Sequence, residues 1–301
     1  ARDVKITGSW TENEIHINYV ALEGGTITES TVEGKKTHSE TVGLAQQNVT
    51  GATAQPNEGK YFVGWYADKD CENPVSGNAK YVPEEITSLQ DGVIYYAKFS
   101  NKQTITIQVP DETLTYTGEE LTGKEYSDAG TTTTGLPTDC TISVTDNKYT
   151  PATGTNVSSS EEPYTGRFDN PQFAILQGDT NVTDQFDVTF IPGKLHINGT
   201  VTYDANANSA TVTGLPQDTG TYSLGDNVNV ISGTPTREGY TFEGWTLSKE
   251  DQATTVDKGQ MGETGLTFYA KWSEKKVEVN LSDLIKKELT VKKGSTLPDN
   301  T

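Results

Sequence analysis

Gly59-Lys60-Tyr61-Phe62-Val63-Gly64-Trp65 is answered, far along the chain, by Gly239-Tyr240-Thr241-Phe242-Glu243-Gly244-Trp245. Each copy runs on to a second shared phrase, Tyr95-Tyr96-Ala97-Lys98-Phe99 and Phe268-Tyr269-Ala270-Lys271-Trp272. Two phrases repeated in the same order mark a module used twice, so the chain reads as an array of small units. Working outward, Ile15-His16-Ile17-Asn18-Tyr19-Val20 alternates like a strand ahead of the first copy, and Val201-Thr202-Tyr203 stands in its place ahead of the second. Gly24-Gly25 turns the first copy, and Val4-Lys5-Ile6-Thr7 adds a short strand pattern before it. Pro83-Glu84-Glu85-Ile86-Thr87-Ser88-Leu89 predicts a short helix, with Pro and two acids in its first turn.

The composition agrees with small β units. Of 301 residues, only 32% are hydrophobic, while 47 are threonine, whose β-branch suits strands and weakens helices. Small cores bury a smaller share of their surface, and this modest apolar fraction fits several of them better than one. Between the copies, Thr104–Val109, Thr141–Val144, Gln172–Leu176, Phe186–Ile191 and Lys194–Ile197 are short strand patterns separated by Pro, Gly and Asp turns. They predict a small antiparallel sandwich with Thr131–Gly135 as an exposed loop. The chain is thus expected to be mainly β and elongated. Its parts are a module over 1–100, a sandwich over 101–198, a second module over 199–272 and the start of a further domain over 273–301. In that last part Val277–Leu281 suggests a strand, and Ser282–Leu289 suggests one or two helical turns, although Val279, Leu281, Leu289 and Val291 also allow a strand.

The net charge of −19 disfavours nucleic acid, which is bound by neutralising phosphates, and disfavours an anionic membrane surface. No window is apolar for 18 residues, so membrane insertion is not expected. Cys71 and Cys140 are the only cysteines, and no disulfide is expected between them. His16, His38 and His196 are scattered, with no paired metal motif. Asp184 and Asp187, with Asp179 nearby, lack the spacing of a calcium loop and read as solvated turn residues. Glu84-Glu85 and Glu161-Glu162 are paired in sequence only, and no nucleophile elbow, phosphate loop or dinucleotide fingerprint is present. No catalytic, cofactor or metal residue is therefore assigned, and no enzyme activity is expected. Trp65 and Trp245 are expected to be core anchors, and Lys98 and Lys271 outward-facing strand positions.

These residues resemble the Listeria–Bacteroides repeat, also called the internalin B-repeat, found in tandem in large surface proteins of Gram-positive and gut bacteria. Residues 199–272 resemble it closely and about 15–100 more loosely, since the first copy has a longer insert and carries Lys60 between Gly59 and Tyr61. The resemblance implies a β-grasp-like sheet crossed by a short helix or loop. Leu114–Gly118, Thr180–Val188 and Gly193–Ile197 resemble the Ig-like modules that lie between such repeats. Leu289–Gly294 and Leu297–Asn300 are similar to the start of a pilin-type domain with a Lys–Asn isopeptide bond, although Lys194 and Asn198 are too close in sequence to form one. The resemblance implies a cell-wall-anchored, extracellular region acting as a stalk for a binding tip. An adhesin module in its own right, or an accessory region of a secreted enzyme, is the alternative. Partners would be host or neighbouring-cell proteins or glycans, with the chain itself a monomer. Beginning at Ala1 and ending at Thr301 without sorting signals, the chain is expected to be a section of a longer protein.

Overall fold

The structure, a computed structural model, describes residues 7–9, 11–45, 47–250 and 252–276. Of the expected strand pattern Val4–Thr7 all but Thr7 lies outside the described residues, as do the features expected over Val277–Leu281 and Ser282–Leu289. The protein is mainly β, built of many small sheets without a barrel, with three 3₁₀ turns as its helical elements among the described residues.

In the first repeat the opening strand Glu14–Ala21 lies parallel to the closing strand Val93–Asn101, which pairs antiparallel with the tryptophan strand Lys60–Tyr66. The second repeat keeps this plan with Val201–Asp204, Leu266–Glu274 and Tyr240–Thr246. Parallel pairing of first and last strands needs a long connection, which the rest of each module supplies.

The repeated Phe-x-Gly-Trp spacing has a physical reason. Residues three apart on a regular strand point to opposite faces. In both copies the register shifts between Phe and Gly: Phe62 faces Phe99 while Gly64 faces Lys98, and Phe242 faces Trp272 while Gly244 faces Lys271. This bulge absorbs one residue, Val63 or Glu243, and brings Phe and Trp to the same face. The rings then meet edge to face, at 6.2 Å for Phe62–Trp65 and 5.2 Å for Phe242–Trp245. Gly244, at φ +134°, adopts a conformation that side chains resist.

Each repeat closes around its tryptophan. Trp65 is fully buried beside Tyr19, with Ile17, Ile27, Ile86 and Ala97 completing the core. Trp245 is buried against Tyr203, which stacks on Phe268, with Val228 and Met261 around them. The two hearts differ in one bond. Trp65 Nε1 donates to the Ala79 carbonyl at 3.0 Å, whereas Trp245 Nε1 is buried without a partner among the described residues.

The helix expected over Pro83–Leu89 is a single 3₁₀ turn, Ile86–Ser88. Thr87 and Ser88 are weak helix formers, and one turn cannot recover the cost of helix nucleation. The Ile86 side chain, 1% exposed, anchors the turn in the core.

Of the segment between the repeats, every expected strand is present. The segment departs from a purely antiparallel sandwich, because Phe186–Ile191 pairs parallel with Gln103–Gln108 and Glu112–Thr115 pairs parallel with Lys194–Asn198. Strands near opposite ends of the segment lie side by side, so the intervening chain forms the long crossover that parallel pairing demands. The expected loop Thr131–Gly135 contains an exposed edge strand, Thr132–Thr134, paired antiparallel with Gln103–Gln108. β-Branched Thr suits this place, where backbone pairing alone holds the strand.

The chain divides into two compact units. One comprises 1–110, 124–151 and 166–193, and the other 111–123, 152–165 and 194–301. Segment 101–198 therefore contributes to both. In the first unit Ile105, Ile107, Ile175 and Phe186 form its own core cluster. In the second, Val157 joins the core of the second repeat, and Leu195 and Ile197 form a small cluster with Ala152.

Two carboxylates stitch the first repeat. Glu40 accepts from the Tyr19 hydroxyl (2.7 Å), from the Thr50 N–H and hydroxyl, and from the Gly51 N–H. Burial pushes its carboxyl up, but these donors outweigh it and hold it below the ordinary range. Glu29 accepts from the Thr53 N–H (2.7 Å) and hydroxyl and pairs with Lys80 at 2.9 Å. Against its partial burial, these bring it down to about 2. A folded-state pKa depressed in this way contributes stability above the ordinary value of 4.5 that is lost as the pH falls through about 2. Glu29→Gln is expected to lower stability by on the order of 1–2 kcal/mol at neutral pH. The gap to the wild type should close as the pH approaches 2. Thermal melts from pH 7 to 2 check this, and a gap independent of pH would assign the loss to packing.

Candidate functional site

Of the shared phrases, Trp65, Tyr95, Ala97 and Phe99, and Trp245, Phe268 and Ala270, fill the cores, with Phe62, Phe242 and Trp272 packed against them. None of the 14 tyrosines is exposed, and the exposed large apolar residues, Val32, Val75, Val82, Ile94, Ile191 and Leu247, are scattered along the chain. Lys98 and Lys271 alternate with buried neighbours, as their strand positions require, yet each is half-buried. Lys98 lies over the Tyr66 ring, 5.6 Å from its centre, and Lys271 Nζ donates to the Ala253 carbonyl at 2.9 Å.

Two clefts remain as candidate sites. The first, of about 580 Å³, opens in the first unit between the turn Pro56–Lys60 and Asp184 and Asp187. Lys102 Nζ stands 3.3 Å from Asp187 there. The two aspartates thus border one cleft, but no group of three or more His, Cys, Asp or Glu is gathered as a metal-binding set among the described residues. Lys60, at the same turn, donates to the Asn101 side-chain oxygen across the sheet. Lys194 and Asn198 lie on one strand, which cannot fold back to join them. Cys71 and Cys140 are both free thiols. His16 pairs with Asp91 on the surface at 2.9 Å.

The second cleft, of about 390 Å³, lies in the second repeat and is cationic within a strongly acidic chain. Arg237, in the short strand Thr236–Arg237, stacks its guanidinium 3.7 Å from the centre of the Tyr240 ring, with Trp272 at 5.9 Å. Its Nε is buried without a hydrogen-bond partner among the described residues. Lys249 pairs with Asp204 at 3.0 Å and lies over Tyr269. The Asn206 N–H and Lys249 together hold Asp204 below the ordinary carboxylate range. One lip of the cleft carries non-glycine residues at positive φ, Asn206 (45°) and Asn208 (47°), followed by Ser209 (71°). Such conformations persist where the surroundings enforce them and gather at functional sites. Sequence reading did not single out Arg237. The available signal was a difference between the copies, since Asn57, Lys60 and Phe99 occupy the places of Arg237, Tyr240 and Trp272.

The profile of the Listeria–Bacteroides repeat domain matches residues 16–89 and 200–271, the two modules whose sheets share one plan. These two regions are similar to Listeria–Bacteroides repeats, a family typical of extracellular surface proteins. No curated protein matches the chain. Among solved structures it is similar to the Bacillus anthracis TIE protein, at 10% identity and a TM-score of 0.25 over 88% of this chain and 51% of that one. The chain spans about half the length of that structure. Among the described residues no helix is long and apolar enough to cross a membrane.

Proposed function

We propose that this chain is a non-catalytic stalk region of a cell-wall-attached bacterial surface protein, holding an adhesive tip away from the envelope. The observation that supports it is the use made of the repeated residues. The tryptophans, their phenylalanine partners and the closing aromatics pack into cores, so what is repeated is a folding unit. A stalk requires such units in series and requires no reactive side chains. The strongly negative charge favours solubility and disfavours adhesion to anionic surfaces.

The test is an in-frame deletion of residues 16–271 from the full-length protein on its own cells. The stalk reading expects the isolated tip to keep its ligand affinity while whole-cell adhesion falls. Whole-cell adhesion unchanged by the deletion would sink it. Wall attachment is checked separately: antibodies to the repeats should label intact cells, and a wall-degrading hydrolase should release the antigen. Release by detergent alone would contradict attachment to the wall.

A further inference from the structure

We propose that the cationic cleft of the second repeat binds the carboxylate of an acidic sugar, with Arg237 as the carboxylate fork. This goes beyond the stalk reading and does not rest on it.

Three observations converge. Arg237 is always charged, and no carboxylate among the described residues pairs with it. Its stacking on Tyr240, beside Trp272, fixes the guanidinium plane, so little freedom remains to be lost on binding. The buried Nε, without a partner among the described residues, is the kind of donor that folded proteins rarely leave unsatisfied. A planar carboxylate fits a guanidinium edge in two parallel hydrogen bonds.

The remaining walls favour a sugar over a bare anion. Lys271 adds a second cation, without a carboxylate partner among the described residues and with its Nζ held by the Ala253 carbonyl. Glu250 lines the same cleft. A carboxylate there accepts hydroxyl protons but repels a second negative group, which selects a ligand with one anionic end and hydroxyls elsewhere. Asn206 supplies amide chemistry on the lip. The chain's charge of −19 works against polyanions in the same direction.

The first repeat serves as an internal control. Where the second has Arg237, Tyr240 and Trp272 it has Asn57, Lys60 and Phe99, on an equivalent sheet. The repeat fold therefore does not require the fork, and the three differences fall together around one cleft.

The experiment is a titration of the whole chain by NMR, following the Arg237 Nε–H and Trp272 Nε1–H signals, with glucuronate, glucose and acetate as probes. A single bidentate ion pair with a few hydrogen bonds predicts saturable glucuronate binding with a dissociation constant of roughly 1 mM. Acetate should bind at least about tenfold more weakly, and glucose should give no saturable shift. Arg237→Asn, the residue of the first repeat, is expected to weaken glucuronate at least about tenfold, and Arg237→Lys to fall between. Lys271→Gln, at a position away from the Arg–Tyr stack, should weaken it in a protein that keeps the wild-type fold by circular dichroism, and so guards against a folding artefact. No glucuronate shift, equal shifts from glucose, or wild-type affinity in Arg237→Asn would overturn the proposal. Acetate binding as tightly as glucuronate would overturn its sugar component.

Discussion

Replacing Trp65 with alanine is expected to destabilise the first repeat by about 3–5 kcal/mol, the range for truncating a large buried aromatic. Trp65 is 0% exposed and touches Tyr19, Phe62 and Tyr81, so its loss opens a cavity that neighbours on three strands cannot close. The substitution by phenylalanine is more telling. Trp65→Phe removes the Nε1 bond to the Ala79 carbonyl, which keeps its bond from the Ala54 N–H, whereas Trp245→Phe removes an N–H without a partner among the described residues. Trp65→Phe should therefore cost about 1 kcal/mol more than Trp245→Phe. Chemical denaturation followed by far-UV circular dichroism measures both, and equal costs would show that the Ala79 bond contributes nothing net.

The second large effect falls on Gly25. A Cβ built there would lie 2.2 Å from the Phe99 ring, against three of its carbons at once. Phe99 is 9% exposed and set edge to face on Phe62, so the ring has little room to retreat. Gly25→Ala is expected to cost about 1–3 kcal/mol by overpacking. Because the cause is a single ring, Phe99→Leu should recover part of the loss, giving a coupling on the order of 1 kcal/mol in a double-mutant cycle. Strict additivity would place the damage in the backbone instead.

Much of this architecture was legible in the residues. The duplicated phrases identified the repeats, and alternation placed Ile15–Val20 and the closing aromatics on strands. Both signals are local, because side-chain direction on a strand follows directly from sequence parity. The helix over Pro83–Leu89 was misread because capping residues mark where a helix can start but do not supply its length. Thr131–Gly135 was misread because polar composition is shared by loops and exposed edge strands, and only the neighbour Gln103–Gln108 distinguishes them.

The sequence by itself determined that the protein is a β chain with a module used twice, since periodicity and repetition are properties of neighbours along the chain. Tertiary structure alone decided three further matters. The bulge turns Phe and Trp to one face because a partner strand fixes the register. Strands of segment 101–198 are shared between two compact units through pairings between distant residues. Arg237 meets Tyr240, Trp272 and Lys271 in one cleft because adjoining strands set them side by side, a proximity that no local pattern encodes.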